Sequence, residues 1–151
     1  MRKTLGSLLF LPLLLVGCGD GDSTTVADEP GAISSTAAAE PVVLALVHET
    51  NAGGTVSDQL TPIGGDGLLD FLTQFDSSSL SEQVMALVDD NPPAEGHELM
   101  AAVVAIGCDV PPGVRVSADG AGWTVSPDKV TAPLQECLAP VTTVAVVDVP
   151  S

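Results

Sequence analysis

Two histidines each precede a glutamate, His48-Glu49 and His97-Glu98, and these are the groups best suited to proton transfer or metal ligation. Neither pair extends to His-Glu-x-x-His, the spacing that sets two imidazoles on one helical face around zinc. A site combining His48 with His97 would need a carboxylate as third ligand and a fold that brings the two together. Serine chemistry needs a hydroxyl held against an imidazole beside an oxyanion hole. No Gly-x-Ser-x-Gly occurs, and Ser77-Ser78-Ser79 reads as the start of a helix. Ser126-Pro127-Asp128-Lys129 has the Ser-x-x-Lys spacing of penicillin-recognising enzymes without their companion motifs, and its Pro and Asp read as a turn. Gly64-Gly65-Asp66-Gly67 offers the glycines of a phosphate or calcium loop. No Gly-Lys-Ser/Thr follows, nor a regular series of oxygen ligands closed by Glu, so it reads as a helix entry. The sequence therefore assigns no catalytic, cofactor-binding or metal-ligating residue, and no cofactor.

Of the three cysteines, Cys18 ends a leader. Met1-Arg2-Lys3 is a cationic start, Leu8 to Val16 an apolar run, and Gly17 a small residue at the cut, the three parts of a secretory signal. The run falls short of the ~20 apolar residues of a spanning helix. Leu15-Val16-Gly17-Cys18 resembles the bacterial lipobox. That resemblance implies cleavage before Cys18, a diacylglycerol thioether on its sulfur and often an acylated amino terminus. Two or more chains, at ~0.8 kcal/mol per buried CH₂, anchor a protein durably. The expected organisation is a signal peptide over 1–17, lipidated Cys18 with an acidic flexible linker over 18–41, and one folded domain over 42–151.

Export sets the expectation for the other two thiols. Cys108 and Cys137 lack Cys-x-x-Cys spacing, and two leftover cysteines outside the cytosol pair. Closing a loop of about 30 residues stabilises a fold by roughly 3.5 kcal/mol in the chain-entropy model.

Charge narrows the partners. The chain has 4 basic residues and 20 acidic ones. Arg2 and Lys3 leave with the leader, so the mature protein sets Arg115 and Lys129 against every carboxylate, a net charge near -18. A phosphate backbone needs Lys and Arg to displace its counterions, which excludes nucleic acid. The membrane is met through the lipid and not through charge. From Gly19 to Pro41 the composition turns to Gly, Asp, Ser, Thr, Ala, Glu and Pro with no apolar period. As a flexible coil this tether spans about 25 Å.

The elements that would position any site lie beyond Pro41. Val42 to Val47 is a continuous apolar run of strand length. Asn51-Ala52-Gly53-Gly54 supplies a turn and Thr55 to Ile63 a short strand. Leu68, Leu69, Leu72 and Phe75 recur at helical spacing. Ser79-Leu80-Ser81-Glu82 matches a capping box, with Val84, Leu87 and Val88 as the buried stripe of a second helix ended by Pro92-Pro93. Leu99 to Ile106, Val114 to Ala118, Trp123 to Val125 and Val141 to Val149 read as strands, the first with a helix as its alternative on Met100, Ala101 and Ala102, and Asp119-Gly120-Ala121-Gly122 as a hairpin turn. These predict an α+β domain: an antiparallel sheet of four to six strands, two short helices packed on it, and one disulfide.

Glu98 to Pro150 resembles the small β-domain of the PrcB-like protease-complex lipoproteins. The shared layout is the strand Leu99 to Gly107, the turn at Pro111-Pro112-Gly113, the strand of Val114 and Val116, and Pro140 before a Val-rich strand. Pro111-Pro112-Gly113-Val114 stands where that family has Thr-Gly-Gly-Tyr, and none of its binding residues carries over. The resemblance implies a non-catalytic module that binds an envelope protein or stabilises a complex. A solute- or cation-binding lipoprotein using the carboxylates, and a small envelope hydrolase using His48 or His97, remain the alternatives.

Overall fold

Branched valines fit a pleated, covered surface better than a helix, and the valine-rich runs become the long strands. In the computed structural model, which describes residues 40–151, β1 (Val42–Thr50) is followed by β2 (Thr61–Pro62), α1 (Gly67–Leu72) and α2 (Ser78–Asp90). Then come β3 (His97–Gly107), β4 (Val114–Ala118), β5 (Trp123–Pro127) and β6 (Val141–Pro150). The leader, Cys18 and the tether lie outside the described residues.

Four strands form one antiparallel sheet in the order β1-β6-β3-β2, and β4 and β5 form a separate hairpin. β6 is central. It pairs with β1 from Val42↔Asp148 to Thr50↔Val141, and with β3 from His97↔Pro150 to Gly107↔Val141. Because both its edges and both its faces are covered, β6 is buried from Thr142 to Val149, and a continuous apolar run is the sequence of such a strand. The hairpin is stitched on through residues 57–60. Ser57 N–H donates to Val103 C=O at 2.9 Å, Leu60 N–H to Trp123 C=O at 2.9 Å, and Val125 N–H to Asp58 C=O at 2.8 Å.

Alternation along the strands divides the core into two layers. Leu99, Ala101, Val103, Val144 and Val146 face the helices, packing on Ile63, Phe71, Leu80 and Val84. Met100, Ala102, Val104, Ala145 and Val147 face the other way, against Leu60 and Val125 with Val116 and Trp123 at their margin. The hairpin turn forms where Asp119 stands. Its Oδ1 accepts from Ala121 N–H at 2.9 Å and Gly122 N–H at 3.0 Å. The Ala121 bond, first among these causes, holds the carboxyl below its ordinary range.

The architecture is mostly antiparallel sheet with two helices and one disulfide, so the α+β class holds with a small helical share. Two local expectations are corrected and a third, the short strand within Thr55 to Ile63, is narrowed. The cap of α2 is Ser77, whose hydroxyl accepts from Leu80 N–H at 3.3 Å; Ser79 lies inside the helix and donates to Glu49 Oε2 at 3.0 Å. Three consecutive serines offer three capping hydroxyls, and the earliest is used, which starts the helix two residues sooner and leaves Leu80 and Val84 together on the buried face. In α1, Leu69 points to solvent at 64% exposure, and Phe75 falls past the helix to pack edge-on to Phe71 with centroids 5.5 Å apart. The helix ends at Leu72, so one turn later the 3.6 period no longer applies. Of Thr55 to Ile63 only Thr61–Pro62 is a ladder strand, because the segment divides its hydrogen bonds between β3 and β5.

Candidate functional site

One end of the sheet carries both a buried carboxylate and a cleft. Asp148 interrupts the valines of β6, opposite Leu99 of β3, and shares the helix-facing side with Val146. His97 opens β3 two residues before Leu99 and therefore points to the same side. Their side chains are 14% and 13% exposed, with His97 Nδ1 2.9 Å from Asp148 Oδ1. The second carboxylate oxygen accepts from Ala94 N–H at 3.3 Å, in the loop that delivers His97. An ionised carboxylate only accepts, so Nδ1 is the donor in this contact. The imidazole is thus fixed in orientation.

His97 forms part of a cleft of about 540 Å³, within the range of small-ligand pockets. Ile63, Gly64, Gly65 and Leu68 make one wall, at the entry to α1. Val88, Asp89, Pro92 and Pro93, where α2 ends, make the other; His97, Glu98 and Leu99 make the base. Among the described residues lining it there is no Ser, Thr or Cys, so the imidazole has no hydroxyl or thiol beside it to activate. The cleft thus combines an oriented imidazole, apolar walls and the Asp89 carboxylate, while alternation turns the Glu98 side chain to the other face of the sheet.

The other residues considered from sequence are not gathered there. His48 is exposed and sits opposite Thr143, whereas His97 sits opposite Pro150, seven residues further along β6. At ~3.3 Å per residue that is on the order of 23 Å, so the two-histidine site is not built. Ser126 pairs with Arg115 across the hairpin, and Arg115 Nη1 donates to Asp128 Oδ1 at 2.6 Å while Lys129 is exposed. Gly64-Gly65-Asp66-Gly67 is the entry to α1. A Cβ on Gly67 would stand 2.6 Å from Pro62 carbonyl oxygen, which restricts that position to glycine. Among the described residues, no three of His, Cys, Asp and Glu group closely enough to hold a metal ion. Cys108 and Cys137 form a disulfide with Cα atoms 5.1 Å apart. Cys18, the residue expected from the sequence to carry lipid, is outside the described residues.

Asp148 is the residue that sequence reasoning passed over. Its signal is visible in hindsight as the single charge inside Val141-Thr142-Thr143-Val144-Ala145-Val146-Val147-Asp148-Val149, a run otherwise free of ionisable groups. No helix among the described residues is long and apolar enough to cross a membrane. Comparison of the chain with protein-family models, with curated proteins and with solved structures returned no match.

Proposed function

We propose that this chain is a lipid-anchored, extracytoplasmic lipoprotein whose domain holds a protein partner near the membrane without transforming it. The observation that carries the reading is the cleft: it orients an imidazole with a buried carboxylate, yet offers that imidazole no nucleophile and surrounds it with apolar walls. Such a site retains a ligand better than it turns one over. The lipobox at Cys18 supplies the anchor and the tether the reach, and the likeness of residues 98–150 to the PrcB-like domain favours a complex-stabilising role over a solute carrier.

The test has two arms. Mature protein made with labelled palmitate is expected to carry label and fractionate with membranes, and Cys18→Ser is expected to lose both. A photo-crosslinking residue in place of Leu68, within the cleft, is expected to capture a discrete envelope protein that the same residue in place of Ser117 on the hairpin does not. An unlabelled, membrane-free wild type overturns the anchor. Identical crosslinking from both positions overturns the holding role.

A further inference from the structure

We infer that the disulfide-tied loop between β5 and β6 is a second membrane contact, laying Leu134 and Leu138 into the interface of the bilayer that the lipid anchor reaches. The inference rests on the anchor proposed above and fixes which end of the domain faces the membrane.

Exposure is the first argument. Residues 131–138 are exposed without interruption, and Leu134 and Leu138 stand 62% and 105% exposed. From Val130 to Pro140 the one ionisable side chain outside the disulfide is Glu136. The leucines are also held in place. Leu134 N–H donates to Asp109 Oδ2 at 3.1 Å, Cys137 is bonded to Cys108, and Asn51 N–H donates to Pro140 C=O at 2.8 Å. Cys108 and Asp109 are consecutive, so both leucines project from neighbouring anchors. A loop already ordered loses little conformational freedom when it docks.

Charge is the second. The cleft end of the domain carries Asp89, Asp90, Glu95 and Glu98 with neither Lys nor Arg, and anionic headgroups repel it. The disulfide end is milder. Both Lys and Arg of the described residues flank the loop, Lys129 at its start and Arg115 on β4. Asp128 is engaged by Arg115, Asp109 by Leu134 N–H, and Glu49 by Ser79 and Thr50, which leaves Asp76 and Glu136 to solvent. Lys129 is exposed, and its long stem lets the ammonium stay among headgroup phosphates while the leucines lie deeper.

Reach is the third. The tether joins at Val42, which pairs with Asp148 at the cleft end, whereas the loop feeds Val141, which pairs with Thr50 at the other. At ~3.3 Å per residue these ends of β1 are on the order of 26 Å apart. The residues from Gly19 to Pro41 extend to at most about 80 Å, enough for the disulfide end to turn to the bilayer. Anchoring also keeps the loop at high effective concentration beside lipid. A contact of two leucines suffices there, whereas a stable protein interface needs a far larger surface. In this orientation the cleft opens away from the membrane, toward a partner.

The experiment uses the mature protein with its anchor, on vesicles of phosphatidylcholine and phosphatidylglycerol in equal parts. An environment-sensitive fluorescent amino acid replaces Gln135 or, as control, the exposed Leu69 of α1, and the quencher is a lipid with a nitroxide just below its headgroup. Emission from position 135 is expected to shift to the blue and to lose most of its intensity to the nitroxide, while emission from position 69 keeps both. Leu134→Ser/Leu138→Ser is expected to abolish the quenching at 135 with the protein still on the vesicles. Equal quenching at both positions overturns the orientation, and quenching that survives the double variant overturns the role of the leucines. A blue shift at 135 in native envelope membranes but not on bare vesicles shows a protein covering the loop, and overturns the bilayer contact. Lipidated, vesicle-bound protein without quenching sinks this inference and leaves the anchor standing. Protein lacking lipid mass that still binds vesicles with quenching at 135 does the reverse, and protein without lipid that stays off them overturns both.

Discussion

The two ends of β6 solve the same problem in opposite ways. Its first residues bury Thr142 and Thr143, its last turn of sequence buries Asp148, and these are the buried polar side chains of the described domain. At the first end, Thr142 Oγ1 donates to Gly53 C=O at 2.7 Å, while Thr143 Oγ1 has no hydrogen-bond partner among the described residues. Cohesion there comes from a covalent link: the disulfide joins the chain just after β3 to the chain just before β6. At the other end no bond is covalent, yet both oxygens of Asp148 are used, one on His97 and one on Ala94. The lesson is that a stapled end tolerates an idle hydroxyl, whereas an end held by hydrogen bonds spends its polar group completely and can leave a cleft open beside it.

The comparison is broken most forcefully at the stapled end. Cys108→Ser/Cys137→Ser is expected to lower stability by about 3.5 kcal/mol, read as a drop in the urea midpoint, with the ring signals of His97 unchanged in the folded population. At the other end, Asp148→Ala leaves the His97 Nδ1 proton and Ala94 N–H without an acceptor and is expected to cost about 2 kcal/mol. Here the ring ¹⁵N shifts of His97 should report a changed tautomer mixture, which the disulfide variant leaves alone. Ser77→Ala removes the cap that starts α2 and should cost about 1 kcal/mol by the same denaturation measurement. Thr143→Val sharpens the contrast, because an unpartnered hydroxyl gives nothing up. It is expected to be neutral or to stabilise by up to about 1 kcal/mol, and a clear loss would show the hydroxyl to be employed.

The smallest effect lies away from both ends. Asp119 has its carboxyl lowered in the fold, so the stability it contributes is present above the ordinary carboxylate range and lost as pH falls through the lowered value. Asp119→Ala should lower the neutral plateau of a stability-against-pH curve slightly and flatten its acid limb, the two curves converging at low pH.

How much of this was legible in the chain follows from what periodicity encodes. Val141 to Val149 announces a strand with two covered faces and Asp119 to Gly122 a hairpin, because these are local consequences of side-chain shape and turn chemistry; Val42 to Val47 reads the same way, yet β1 is an edge strand with Val42 and Val43 exposed. Cys108 and Cys137 could be paired because the sequence reading assigns the third cysteine, Cys18, to the leader junction. Neighbour choice is different. Nothing in residues 141–150 says that β1 lies on one side and β3 on the other, and the contact of His97 with Asp148 spans 51 positions. Ser77, Ser78 and Ser79 are chemically equal as caps, so only the burial of Leu80 and Val84 against the sheet selects among them.

The central place of β6 also governs when the molecule can assemble. It is the last strand in chain order, and β1 and β3 meet only through it. A growing polypeptide thus holds its earlier strands without a shared ladder until residues 141–150 are supplied, and closure of such distant segments is slow. Loss of those ten residues would strip β1 of its ladder and β3 of its longer one at a single stroke.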